Sequence, residues 1–260
     1  MRHIKAYEFI FWNLLITAAL ANVTLPTPFD TGYNYGLTSS CDNFFTAFLS
    51  STSFQACPSF GFLLTKSNQF NQISRNSSTL TPVLQGVCAT TSDQCVSLMK
   101  QYASQMTDSK NCGADIQSNN TIAVATLYDF ESYQPMQSAG CLQDTNGQYC
   151  YAQALAMNQG TSIYYLPVGS SMPNSTYTKM KLQCNDCNSK ILSLYSNYST
   201  VQSEPIITVW RQALTVINET CGTAYLQSAG ITYTSAASSS SSFYLAVHAT
   251  LIMLIASILL

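Results

Sequence analysis

Ten cysteines constrain this chain more than any other feature. Cys41, Cys57, Cys88, Cys95, Cys112, Cys141, Cys150, Cys184, Cys187 and Cys221 all lie between an apolar start and an apolar end. An even count behind a secretory leader implies a disulfide framework of up to five bridges. Spacing alone leaves the connectivity open, with on the order of a thousand pairings for ten cysteines. Cys184-Asn-Asp-Cys187 has the spacing of a redox or zinc motif. It lacks two further ligands nearby, and in an oxidising compartment its two cysteines are expected to bond to different partners.

The ends supply the compartment. Arg2, His3 and Lys5 precede the apolar run Phe9–Leu20, which is short for a bilayer span. Ala19-Leu20-Ala21 has the small-x-small form of a signal peptidase site. Residues 1–21 therefore read as a signal peptide, and the secreted chain is expected to start at Asn22. The alternative is an uncleaved signal anchor. Near the other end, Ser235-Ala236-Ala237, the polar spacer Ser238–Ser242 and the apolar run Phe243–Leu260 follow the order of a glycosylphosphatidylinositol (GPI) attachment signal. Ser235 is the expected attachment residue, with Ser228-Ala229-Gly230 as the fallback. A transmembrane helix would carry Lys or Arg on its cytoplasmic side, and the sequence shows none after this run.

Charge is sparse. Without residues 1–21 the chain keeps eight Lys/Arg and eleven Asp/Glu, a net of about −3. It has no basic patch, so nucleic acid is not an expected partner. Solubility must come from Ser, Thr, Asn, Gln and sugars. Six sequons mark candidate N-glycans: Asn22, Asn76, Asn119, Asn174, Asn197 and Asn218.

Helical spacing dominates between Ser40 and Gln227. Cys41, Phe44, Phe45, Phe48 and Leu49 recur at three and four residues, as on one helix face. Thr91 with Gln94 reads as a capping box ahead of Cys95, Leu98, Met99, Tyr102 and Met106. Cys184, Cys187, Ile191, Leu194, Tyr195 and Tyr198 form another stripe. Ser203 is expected to cap a helix with Pro205 in its first turn. Its buried face would be Ile206, Val209, Trp210, Ala213, Ile217 and Cys221, and Gly222 would stop it. Cysteines on apolar stripes point inward, where they can staple neighbouring helices. Ile163–Val168 is the most strand-like stretch. Pro167 and the Gly169–Pro173 run make it a surface loop or edge segment.

The missing chemistry is as informative. The two histidines, His3 and His248, fall in the signal peptide and the anchor signal. The domain would hold none, which excludes a Ser-His-Asp triad, a Cys-His pair and histidine metal ligation. Carboxylates remain. A glycosidase opposes two across the scissile bond. Asp129 and Glu131 would diverge on a helix and read as solvated surface. The abundant aromatics can bind sugars or sterols but at helical spacing are expected to be core.

Several segments together carry a resemblance. They are Cys41-Asp-Asn-Phe-Phe, Phe54-Gln-Ala-Cys57-Pro-Ser-Phe60, Tyr165-Leu-Pro-Val-Gly169, Cys184-Asn-Asp-Cys187 and Asn218-Glu-Thr-Cys221-Gly222. In order and spacing they resemble a family of fungal secreted, cysteine-rich proteins whose shared domain has no assigned function. The resemblance implies a signal peptide, a Ser/Thr-rich stalk and often an anchor signal, and it brings no catalytic residues. The spacing is unlike the compact eight-cysteine haem-binding domain of fungal surfaces.

The expected fold is all-α, a disulfide-stapled bundle of six to eight short helices with a disordered Ser-rich C-terminal stalk. The expected layout is a signal peptide at 1–21, an extended arm at 22–39, the cysteine-rich domain at 40–227, the stalk and attachment region at 228–242 and the anchor signal at 243–260. The expected role is a GPI-anchored glycoprotein of the plasma membrane or cell wall, structural or interactive, without enzymatic activity, cofactor or metal. Its partners would be the outer membrane leaflet through the anchor, and wall polysaccharide or surface proteins. The alternatives are an apolar-ligand module for a lipid or sterol, and a carboxylate-based wall-remodelling enzyme.

Overall fold

The computed structural model describes residues 24–234, except 34, 35, 159, 172, 174, 175 and 177. Residues 1–23 and 235–260 lie outside the described residues, and with them the expected leader and expected anchor signal, both histidines, Asn22 and Ser235; so does Asn174. Among the described residues the chain is mostly helical and has no strand. An isolated antiparallel bridge joins Gln143 to Tyr149.

Short polar caps divide the first half. The helices are α1 (Ser39–Ser50), α2 (Thr52–Gln55), α3 (Phe60–Lys66), α4 (Asn68–Ile73) and α5 (Ser77–Ala89). The side chains of Thr38, Ser51, Ser59, Ser67 and Asn76 each accept from a backbone N–H in the first turn of the helix that follows. Such a cap satisfies a donor that the helix start leaves open. Recurring this often, the caps break the segment into more helices than the six to eight expected for the whole domain.

Next come α6 (Asp93–Met106), α7 (Gly113–Gln117), α8 (Thr121–Glu131) and α9 (Tyr133–Gly140). Pro135 has no N–H to offer the Glu131 carbonyl, and its ring would crowd that carbonyl in a continuous helix, so the chain bends at Ser132. The last elements are α10 (Cys150–Ala156), a 3₁₀ segment (Thr161–Ser171), α11 (Asp186–Ser196), a 3₁₀ turn (Pro205–Thr208), α12 (Trp210–Cys221) and α13 (Thr223–Ser228).

Three local expectations are corrected. Helix α6 is capped by Ser92, not Thr91. The Thr91 hydroxyl instead accepts from Gln137 Nε2 at 2.9 Å. Ser203 does not start a helix, because the chain first makes the 3₁₀ turn behind Glu204 and α12 begins only at Trp210. Ile163–Val168 is neither surface loop nor edge. Its 3₁₀ turn buries Ile163, Tyr164, Leu166 and Val168 together. At its end Gly169 adopts φ +54°, and a Cβ there would overlap the Pro205 carbonyl, so the two 3₁₀ pieces touch only because this residue is glycine.

The core has two aromatic-rich clusters. One gathers the arm residue Phe29 with Phe44, Phe45, Phe48, Phe54, Met99 and Phe130. The other holds Phe60, Phe70, Tyr151, Tyr164, Ile191 and Tyr195. Helices α3 and α9 serve both: Phe62 and Tyr133 enter the first cluster, Phe60 and Met136 the second. These two helices meet closely, for a Cβ on Gly140 would penetrate the Phe60 ring.

All ten cysteines are paired. Cys41–Cys112 and Cys57–Cys95 staple the first cluster. Cys88–Cys141 ties α5 to the end of α9. Cys150–Cys187 joins α10 to α11, and Cys184–Cys221 joins the approach to α11 to the end of α12. The two cysteines of Cys184-Asn-Asp-Cys187 thus have different partners.

Candidate ligand cavities and their charged groups

The arm anchors the first cavity. Phe29 takes φ +58° and its N–H donates to the Lys66 carbonyl at 2.8 Å. Asp30 then reaches the α3–α4 junction, where its carboxylate accepts from the Ser67 hydroxyl and the Asn68 and Gln69 N–H groups at 2.7–2.9 Å. Burial raises the Asp30 pKa, but the Gln69, Asn68 and Ser67 hydrogen bonds outweigh it and hold the carboxyl below its ordinary value. Beneath this junction Lys66 Nζ lies 3.1 Å from Asp129 Oδ2, and the Thr65 hydroxyl donates to Asp129 Oδ1 at 2.9 Å.

Asp129 is therefore not solvated surface: it is fully buried. Burial pushes its pKa up, while Lys66 and Thr65 oppose that shift. A buried carboxylate needs such a partner, since an isolated one would be strongly disfavoured. Lys66 reaches the wall of a cavity of about 580 Å³ bounded by the arm, the α3–α4 junction and the start of α8. Its lining mixes the amide and hydroxyl side chains of Thr31, Asn68, Asn71, Asn119 and Thr121 with the apolar walls of Phe29 and Ile122.

A second cavity, about 410 Å³, runs beneath the arm and is mainly apolar. Leu25, Pro26 and Pro28 form one side; Leu49, Phe54 and Phe62 form the other.

Glu131 separates from Asp129, as expected on a helix, and meets Glu204 instead. Burial, and then the Glu204 charge, raise the Glu131 pKa to about 7. Burial likewise lifts Glu204 to about 7, with Lys100 opposing. Glu204 is 6 % exposed and its Oε2 has no hydrogen-bond partner among the described residues. Neither glutamate lines the two cavities above. Spacing could not have revealed this pair, because 73 residues separate its members in sequence.

The sequons occupy different settings. Asn76, Asn119 and Asn197 are exposed. Asn218 is half-buried and accepts from the Thr223 hydroxyl at 2.9 Å. Ser228, the fallback attachment residue, is the last residue of α13, and the following Ala229 and Ile231 are buried. Tyr233 continues the packing through a 3.2 Å hydrogen bond to Thr215.

Among the described residues, no group of His, Cys, Asp and Glu could hold a metal ion. In the same residues no helix is long and apolar enough to cross a membrane. Comparison with curated proteins finds no match, and neither does comparison with solved structures. Residues 24–230, from the arm that shapes both cavities to the turn after α13, match the family described as a domain of unknown function (DUF7729), and the chain belongs to that family.

Proposed function

We propose that the chain is an extracellular glycoprotein domain, carried on a Ser-rich stalk and a GPI anchor at a fungal plasma membrane or wall, with a structural or interaction role. The observation that carries this reading is the pairing of all ten cysteines within one domain. Such frameworks persist in oxidising compartments. Exposed sequons at Asn76, Asn119 and Asn197 agree with that compartment. The packing of Ala229, Ile231 and Tyr233 into the domain favours Ser235 over Ser228 as the attachment residue, because Ser228 lies inside folded structure. The signal-like patterns at 1–21 and 235–260 supply the rest of the argument.

Treating intact cells with a phosphatidylinositol-specific phospholipase tests the anchor. Release of the protein, or its recovery from a wall fraction by glucanase, is the expected result. A peptide ending at Leu260 recovered from the surface protein would contradict it.

The cavity beneath the arm favours a second reading, the apolar-ligand module. Its volume of about 410 Å³ lies in the range of small-molecule sites, and its walls are Leu, Pro and Phe. Native mass spectrometry of the secreted protein separates the two readings: a co-purifying lipid mass supports this one, and a bare protein mass opposes it.

A further inference from the structure

The polar cavity and one sequon share a residue. Asn119 lines the cavity of about 580 Å³, and the sequon Asn119-Asn120-Thr121 forms the turn into α8. Asn119 is exposed and adopts φ +58°, a left-handed conformation that asparagine tolerates better than most residues. Asn120, not Asn119, caps α8, through Oδ1 to the Ile122 and Ala123 N–H groups. The Asn119 N–H donates to the Ile116 carbonyl at 3.0 Å, while the cap leaves the Asn119 side-chain amide outside the hydrogen bonding of the turn, where a sugar can be attached. Asn197, also exposed, lines neither this cavity nor the apolar one beneath the arm, whereas the exposed Asn76 lines a separate cavity of about 490 Å³.

We propose that the cavity between the arm, the α3–α4 junction and the start of α8 is a saccharide site, and that its resident ligand is the proximal N-acetylglucosamine pair of a glycan on Asn119. The lining has the chemistry of a sugar site. Thr31, Asn68, Asn71 and Thr121 offer hydroxyl and amide groups suited to sugar hydroxyls and acetamides. Phe29 and Ile122 give an apolar wall for the ring faces. Among the described residues of the lining the one charge, Lys66, is matched by Asp129 at 3.1 Å. A site neutralised in this way fits an uncharged sugar better than an anionic one. The volume falls within the usual range for small-ligand sites.

Connectivity strengthens the case. A sugar attached at the rim has an effective concentration in the millimolar range, so a contact too weak to hold a free disaccharide can still be occupied. Occupation would brace Phe29, Asp30 and Thr31 of the arm against α4 and α8.

This inference rests on the glycoprotein reading, and the experiment keeps the two apart. The full chain is secreted from a eukaryotic host that adds N-glycans, and site occupancy is read by glycopeptide mass spectrometry. The native protein is then treated with an endoglycosidase that hydrolyses the bond between the two core sugars. The glycan at Asn197, which lines no such cavity, should be removed roughly tenfold or more faster than the one at Asn119, and denaturation should abolish the difference. The double variant Asn68→Ala/Asn71→Ala leaves the sequon intact and should bring Asn119 to the rate of Asn197. A circular dichroism melt matching the parent confirms that this variant folds. The unglycosylated Asn119→Gln protein should bind added chitobiose at millimolar concentration in ligand-detected NMR, and the glycosylated parent should not. Equal trimming at Asn119 and Asn197 would overturn the proposal and leave the glycoprotein reading standing. So would an unmodified Asn119 beside modified Asn76 and Asn197. Absence of glycan at every sequon would sink both.

Discussion

Removing Lys66 alone should be costly. Lys66→Met leaves the Asp129 carboxylate fully buried without its counter-charge. Breaking one side of a buried pair typically costs about 3–5 kcal/mol. The double variant Lys66→Met/Asp129→Leu removes both charges and should recover most of that loss in urea denaturation. Glu204 predicts a pH effect of defined sign. Its folded pKa is raised to about 7 from an ordinary 4.5, so the native state holds a proton that the unfolded state has lost. The Glu204 contribution to stability is then full below about pH 4.5 and falls as pH rises to about 7, by an amount on the order of 2–3 kcal/mol. Glu131, raised to about 7 with Glu204 among its causes, adds to the same slope. Denaturant midpoints of Glu204→Gln measured between pH 4.5 and 8 should vary less than those of the parent. The Tyr195 hydroxyl offers a contrasting case: it is buried without a hydrogen-bond partner among the described residues. Tyr195→Phe should be neutral or stabilising by about 1 kcal/mol, because it removes a desolvated polar group.

At the level of elements, much of the fold was legible because helix faces write themselves as residue spacing. The Cys41–Leu49 stripe became α1, with Cys41, Phe44, Phe45 and Phe48 buried. Gly222 ends α12 at φ +79°, as expected. What spacing could not resolve was competition between neighbouring polar groups. Thr91 and Ser92 can each cap α6, and Gln137, distant in sequence, decides it by engaging Thr91. Ser92→Ala should therefore cost about 1 kcal/mol as a lost cap. Thr91→Ala should act through Gln137, whose Nε2 would keep only the Val87 carbonyl at 3.1 Å. Ile163–Val168 was misread for a related reason. Its apolar run is continuous, and a buried 3₁₀ turn and a strand look alike when period gives no vote. The deciding contact is Gly169 against Pro205. The polar cavity was not legible at all, since its walls come from residues 29–32, 65–71 and 119–125.

At the scale of the whole molecule, five bridges close loops spanning 37 to 71 residues and tie both core clusters. In the chain-entropy account each loop of this size restricts the unfolded ensemble by roughly 4 kcal/mol. The paired variant Cys57→Ala/Cys95→Ala should lower stability by about 2–4 kcal/mol and loosen α6 first, seen as faster amide exchange there. The same bridges carry the claim about where the protein resides. The most direct test is peptide mapping, without reduction, of protein recovered from the cell exterior. The account predicts five cross-linked peptides, among them Cys150 with Cys187 and Cys184 with Cys221. Free thiols, or a bond between Cys184 and Cys187, would contradict it.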